Sequence, residues 1–361
     1  MTSKYAPQFM PRGEPVEPIS LLNEAGKLKD GAKSAMSDEG VLEALRLMML
    51  GRAMDAKCFS LQRQGKVGTF APIRGQEAAL VGSAMALDPK RDWVVPQYRE
   101  LPVLLRQGFT LEKVALYRLG HPDGIAVPSG VNMVMQQISL AAQNPHAVGL
   151  AWGLKLQGKD GVVVVYFGDG ASSEGDFHEA CNLAGVVKAP VIFLLQNNGW
   201  AISTPRESQS AAADLASRAP GYGFPGIAVD GNDLMAMHAV TAEAVARARA
   251  GEGPTLIEAR TYRMWAHTTA DDPTRYQNPD VLKRWEKRDP IERVQKYLAA
   301  RKKWNDKTAA TWEAEMAAEI DDAFERAEAY PKPTADAIYD YVFAQPTPSL
   351  VRQRAALTGG E

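Results

Sequence analysis

Two continuous apolar runs constrain this chain more than anything else in it: Val162-Val163-Val164-Val165-Tyr166-Phe167 and Pro190-Val191-Ile192-Phe193-Leu194-Leu195. Runs without polar alternation are expected of parallel strands covered on both faces. Glu174 to Val187, between them, has helical character, so the unit reads as strand, helix, strand, with a right-handed crossover inside one sheet. The predicted fold class is therefore α/β, a mainly parallel sheet flanked by helices. Further strands are expected at Gly226 to Val229 and Thr255 to Thr261, with a helix over Leu234 to Ala250 between them.

Upstream, Val41, Leu42, Leu45, Leu47, Met48, Met49, Ala53 and Met54 follow helical spacing after Ser37, which predicts a first helix capped by Ser37 and reaching about Gln64. Helical patterns recur at Gln76 to Ala86, Thr110 to Leu119 and Pro145 to Gln157, and Pro290 to Ala329 is charged and helical. Residues 1–36, rich in Pro, Gly and Lys, are expected to form an irregular arm, 37–345 the main domain with its helical C-terminal part, and 346–361 a tail.

At 361 residues and 45% hydrophobic, the chain suits one large or two ordinary globular domains. Its 41 basic against 43 acidic residues leave no overall electrostatic footprint for nucleic acid or an anionic membrane. A small-molecule or protein partner is expected instead. No apolar run approaches the ~20 residues of a membrane span, and Met1 to Glu39 lacks both a signal-peptide core and an Arg-rich targeting pattern. The mature chain is thus expected to start near Met1. Cys58 and Cys181 form no ligand or disulfide pattern, which fits a reducing, cytoplasmic location.

The chemistry-bearing residues sit where the two runs end. Gly168-Asp169-Gly170 falls at the carboxyl end of the first and Asn197-Asn198-Gly199 at that of the second, so both face one crevice, the edge at which open α/β sheets bind ligands. Each tripeptide alone is an ordinary turn signal. Together they say more, because the 26 residues from Ala171 to Gln196 suffice for one helix and one strand that return the chain beside its start. Asp169 offers a carboxylate and Asn198 an amide oxygen, the hard ligands Mg2+ takes when a phosphate group completes its octahedron. Glycines there let a backbone approach that phosphate closely.

This pattern resembles the thiamine diphosphate motif, and the run GDGASSEGDFHEACNLAGVVKAPVIFLLQNNGWAIST is similar to the alpha subunits of 2-oxo acid dehydrogenases. The likeness extends over about Leu21 to Leu350, through GKVGTFAPIRGQEAA (Gly65 to Ala79), PQYRELP (Pro96 to Pro102), IAVDGND (Ile227 to Asp233), GEGPTLIEARTYR (Gly251 to Arg263) and AHTTADDPTRY (Ala266 to Tyr276). It implies the diphosphate-binding half of a thiamine-diphosphate-binding fold. Mg2+ would be held by Asp169, the Asn198 side chain and the backbone oxygen of Trp200. Gly168 belongs to the cradle, Gly170 and Ala171 would donate backbone N–H groups to the diphosphate, and Tyr98 and Arg99 would also contact it. Some relatives carry arginine where this chain has Gln196, so a neutral amide must serve there or the contact is absent. Ile138, Ser139 and Leu140 match a segment that meets the middle of the cofactor, although core packing explains Leu140 equally well.

The resemblance gives His267 a place near the diphosphate and a catalytic role in acyl transfer to lipoamide. His121, His146, His178 and His238 read as surface or packing residues. Phe70 and Tyr98 are candidates for the acyl pocket, with plain core as the alternative. The loop from His267 to Tyr276, with little to bury, is expected to be mobile without ligand. The implied activity is oxidative decarboxylation of a 2-oxo acid and reductive acylation of a lipoyl group on a dihydrolipoyl acyltransferase. PQYRELPVLLRQG and PSGVNM favour pyruvate over branched-chain substrates. The glutamate that activates the cofactor matches no block here, so a beta subunit is expected to bring it in an α2β2 heterotetramer.

Two competing classes fare worse. A nicotinamide dehydrogenase needs a third glycine where Ser173 stands. A non-catalytic scaffold or regulatory subunit of the same fold would have no need of Asp169, Asn198, Arg99 and His267 together.

Overall fold

Five parallel strands form the main sheet: β1 (Trp93–Val95), β2 (Val163–Gly168), β3 (Val191–Asn197), β6 (Gly226–Asp230) and β7 (Thr255–Arg260), in the order β1-β2-β3-β7-β6. Two dipeptides, β4 (Trp200–Ala201) and β5 (Thr204–Pro205), make a small antiparallel hairpin after β3. This computed structural model describes residues 16–340 and 342–359; Pro7, Pro11, Gly13 and Pro15 of the predicted arm lie outside them.

The two apolar runs behave as their composition demands. Val164 and Tyr166 of β2 and Ile192 and Leu194 of β3 enter one core, while Val163, Val165 and Phe167 with Val191, Phe193 and Leu195 enter a second core on the other face. Strand alternation therefore feeds two apolar layers. Burying each of these side chains contributes about 1.5–3 kcal/mol.

The first core is closed by α1 (Asp38–Arg63), α2 (Glu77–Met85), α3 (Leu101–Gln107), α4 (Leu111–Arg118), α8 (Leu234–Arg249), α10 (Pro290–Ala300) and α11 (Asp306–Ala329); the second by α5 (Gln143–Leu156) and α6 (Gly175–Val187). A short α7 (Arg206–Gln209) follows the hairpin, and α9 (Pro279–Glu286) and α12 (Pro348–Thr358) complete the α-helices among the described residues. Ser37 caps α1, its hydroxyl accepting from Gly40 N at 3.1 Å, as the sequence predicts. Among the described residues no helix is long and apolar enough to cross a membrane.

Sequence patterns missed β1, α3, α9 and the hairpin, all of them short. The arm after residue 15 is irregular but anchored: Ile19 bridges to Val229 at the sheet edge and Leu22 is fully buried. The stretch expected as a tail carries α12.

Candidate active site at the carboxyl edge of the sheet

Four segments leave the carboxyl ends of neighbouring strands and meet: Pro96 to Arg99 after β1, Asp169 to Ser173 after β2, Asn198 to Trp200 after β3, and Thr261 to His267 after β7. Asp169 is 2% exposed. Its Oδ2 accepts from Gln209 Nε2 at 3.2 Å, but its Oδ1 is buried with no partner. Burial pushes its pKa up from 3.8 to about 6. A carboxylate oxygen held out of water with nothing donating to it is a place for a cation.

The glycines beside it differ in purpose. A Cβ at Gly170 would lie 2.6 Å from Ala201 Cβ, so the hairpin excludes any side chain there. A Cβ at Gly168 would meet nothing within 4 Å, so Gly168 leaves open space in the crevice. Ala171 is buried in the following 3-10 turn, Gly170–Ser173, which Arg218 ties down by donating to Ser172 Oγ at 2.9 Å.

The two asparagines part company. Asn197 Nδ2 donates to the buried Glu258 on β7 at 2.7 Å, a structural bond. Asn198 turns the other way: its Nδ2 donates to Gln76 Oε1 at 3.1 Å, and its Oδ1 accepts only Trp200 N, at 3.2 Å. That oxygen keeps a lone pair for a ligand. Gly199, at φ +86°, makes the turn that places Trp200 beside it. Among the described residues no three His, Cys, Asp or Glu side chains form a protein-only metal cage. One carboxylate, one amide and one carbonyl form a set that phosphate oxygens would complete.

Two guanidiniums face this edge. Arg99, 6% exposed, donates Nη2 to His267 Nδ1 at 3.0 Å and to His267 O at 2.9 Å, and Nη1 to Pro72 O. Arg263, fully buried, donates to Ile202 O at 2.7 Å, to Tyr276 Oη at 2.6 Å and to His267 Nδ1 at 3.3 Å. Neither forms an ion pair with a carboxylate among the described residues. With two permanent donors on Nδ1, His267 must be the neutral tautomer with its proton on Nε2. Burial first, then Arg99 and Arg263, hold its pKa down at about 4.

The His267 loop does bury little, but hydrogen bonds tie it at both ends. His267 N donates to Asp271 Oδ2 at 2.7 Å, Tyr276 Oη donates to the same oxygen, and Thr269 N donates to Phe70 O at 3.0 Å.

Tyr98 is half-buried, with Arg99 5.4 Å from its ring centroid, and burial raises its phenol pKa. Gln196 is buried, but its Nε2 donates to Glu100 Oε1 at 2.8 Å, so its amide is turned toward β1. Ile138 and Leu140 are exposed at 60% and 39%, so core packing does not account for Leu140. They lie near the site because Gln137 N donates to Gln97 O at 2.9 Å. The Phe70 ring belongs to the main core with the Arg118 guanidinium 4.9 Å from its centroid, and its backbone bonds Thr269 of the His267 loop.

The other histidines stay outside: His121 bonds Pro331 O, His146 bonds Ala142 O in its own first turn, His178 bonds Tyr222, and burial depresses the pKa of His238. Both cysteines are buried thiols. Sequence reasoning passed over Arg263, Glu100, Gln76 and Gln209. Arg263 carried one signal, a charged residue three past the end of an apolar strand.

Compared with known proteins, residues 45–336 match the family model described as dehydrogenase E1 component. Two proteins named pyruvate dehydrogenase E1 component subunit alpha, from Staphylococcus epidermidis and Staphylococcus aureus, are each 41% identical over 339 residues. That covers 93% of this chain and 91% of theirs. The chain therefore belongs to the dehydrogenase E1 component family, as an alpha-type chain of the thiamine-diphosphate-dependent 2-oxo acid dehydrogenases.

Proposed function

We propose that the crevice holds the Mg2+-diphosphate end of thiamine diphosphate, and that the chain works as the alpha subunit of a pyruvate dehydrogenase. The observation that carries this is charge placement: two buried guanidiniums without carboxylate partners stand beside a buried carboxylate oxygen without a donor. Buried charges of this kind are favoured by counter-charges, so an anion for the guanidiniums and a cation for the carboxylate oxygen would each be bound strongly here.

Asp169, Asn198 Oδ1 and the Trp200 carbonyl would hold the cation, and Arg99, Tyr98 and the backbone of Gly170 and Ala171 the diphosphate, in the open space Gly168 leaves. Arg263 adds positive charge from beneath. When bound, the cofactor supplies the electron sink that lets a 2-oxo acid lose CO2. His267 presents Nε2–H, fixed in that tautomer by the two arginines, as a donor to the acyl group during its transfer to lipoamide.

The relatives' names support pyruvate as substrate and a beta subunit as partner, with branched-chain 2-oxo acids as second choice. The beta subunit would supply the activating glutamate and complete an α2β2 assembly that hands its product to a lipoyl acyltransferase. Two buried, unbridged thiols support a cytoplasmic setting.

The test is co-expression with the beta subunit and measurement of CO2 release from pyruvate and from 3-methyl-2-oxobutanoate. A kcat/KM at least about tenfold higher for pyruvate, a difference of about 1.4 kcal/mol, is expected. The reverse preference would overturn the substrate assignment, and no release from either would overturn the function.

A further inference from the structure

Beneath Arg99 lies a carboxylate that no role so far accounts for. Glu100 is 1% exposed, yet it forms no ion pair among the described residues. Its Oε2 accepts two backbone donors, Gln97 N and Arg99 N, both at 2.9 Å. Its Oε1 accepts Gln196 Nε2 at 2.8 Å. One side chain thus folds Pro96 to Glu100 into a tight turn and fastens that turn to the end of β3. Gln97 adds a further tie, its Oε1 accepting Gly168 N at 3.2 Å.

This turn carries Tyr98 and Arg99. A long, flexible arginine is a poor anion ligand unless its backbone is fixed, because ordering it costs side-chain entropy at the moment of binding. A carboxylate accepting three N–H groups is a strong local clamp, since hydrogen bonds to a charged group are about twice as strong as neutral ones. We infer that Glu100 and Gln196 form a strut that positions Arg99 and Tyr98 for the diphosphate, with Gln196 acting through Glu100 rather than touching the cofactor. Glu100 is thus a positioning residue. The inference rests on the cofactor reading above, and it assigns Gln196 differently from a residue-for-residue carry-over of an arginine ligand.

Two measurements test it. The first needs no cofactor: hydrogen exchange at the Gln97 and Arg99 amides of the full chain. Glu100→Ala should speed exchange at both amides at least about tenfold, the loss of a charge-assisted bond. Glu100→Gln, whose amide oxygen still accepts from both but without the charge, should speed exchange clearly less than Glu100→Ala does. Unchanged exchange in Glu100→Ala would overturn the strut.

The second is a double-mutant cycle in the α2β2 assembly, reading thiamine diphosphate affinity in saturating Mg2+ by calorimetry, with kcat at saturating cofactor as companion. Glu100→Ala and Gln196→Ala should each weaken binding several-fold or more while kcat falls less than about threefold. The double variant should bind no more weakly than Glu100→Ala alone, and Glu100→Gln should restore affinity. Additive losses would mean that Gln196 touches the cofactor directly and would overturn the inference. So would a fall in kcat with unchanged affinity. If wild-type assembly shows no Mg2+-dependent binding, the cofactor reading fails, while the exchange experiment still decides the strut.

Discussion

Arginines are buried in two regions of this protein, and the regions treat them differently. At the sheet edge by β6, Arg293 is 1% exposed and donates Nη1 to Asp230 Oδ2 at 2.9 Å and to Leu22 O at 3.2 Å; Arg288 joins the same carboxylate at 2.9 Å. That corner is electrically closed and holds the N-terminal arm against α10. At the crevice, Arg99 and Arg263 are buried as deeply but have only carbonyls, a phenol and an imidazole for partners. A buried charge without its counter-ion costs stability, and on the proposed function the diphosphate of the cofactor would supply that counter-ion at the crevice.

The sharpest way to break the comparison is to open the closed corner. Asp230→Ala takes from Arg293 its 2.9 Å partner and leaves only the half-exposed Glu24 carboxylate 3.7 Å away, so chemical unfolding should show a loss of about 3 kcal/mol, the low end for breaking a buried pair, with cofactor affinity in the surviving assembly unchanged. A smaller loss with weakened cofactor binding would erase the distinction between the regions. Next in size, Asp169→Ala removes the charged cation ligand. Mg2+-dependent thiamine diphosphate affinity should fall on the order of 100-fold by calorimetry, with little change in unfolding.

His267 sharpens the account within the crevice. In the assembled complex at saturating cofactor, His267→Ala should depress lipoyl acylation about 100-fold more than reduction of an artificial electron acceptor, the lower end of what a positioned proton donor contributes. Equal falls would make His267 a positioning group, and no fall a packing one.

The smallest effect concerns pH. The folded pKa of His267 is depressed from 6.5 to about 4, so its contribution to stability is present above pH 6.5 and is lost as pH falls from there toward 4. His267→Gln, which cannot titrate, should flatten the decline of the apo chain's unfolding midpoint across that window. An identical slope in both proteins would mean that burial and the two arginines together do not depress this imidazole.

The sequence made the scaffold legible because both apolar runs are long and uninterrupted, and their ends fix where glycine, aspartate and asparagine must sit. β1 is three residues long and α3 seven, too short for periodicity to register. That Asp169, Asn198, Arg99 and His267 come to one edge of the sheet was legible through motif and resemblance. What stayed hidden is what each polar atom does: that Asn197 bonds the buried Glu258 while Asn198 bonds Gln76, and that Gln196 donates to Glu100. Those facts depend on side-chain direction at strand ends, which residue order does not encode. Arg263 was hidden because a charged residue in a loop reads as solvated until the fold covers it.

The most direct test is calorimetric titration of Mg2+-thiamine diphosphate into wild-type and Arg99→Met α2β2 assemblies, paired with chemical unfolding of each apo alpha chain. If Arg99 is held in reserve for the diphosphate, affinity falls roughly 10–150-fold, the value of a charged hydrogen bond, while apo stability shifts by less than about 1.5 kcal/mol. Unchanged affinity together with a loss of stability as large as that of Asp230→Ala would show that the crevice arginine is a structural element like Arg293.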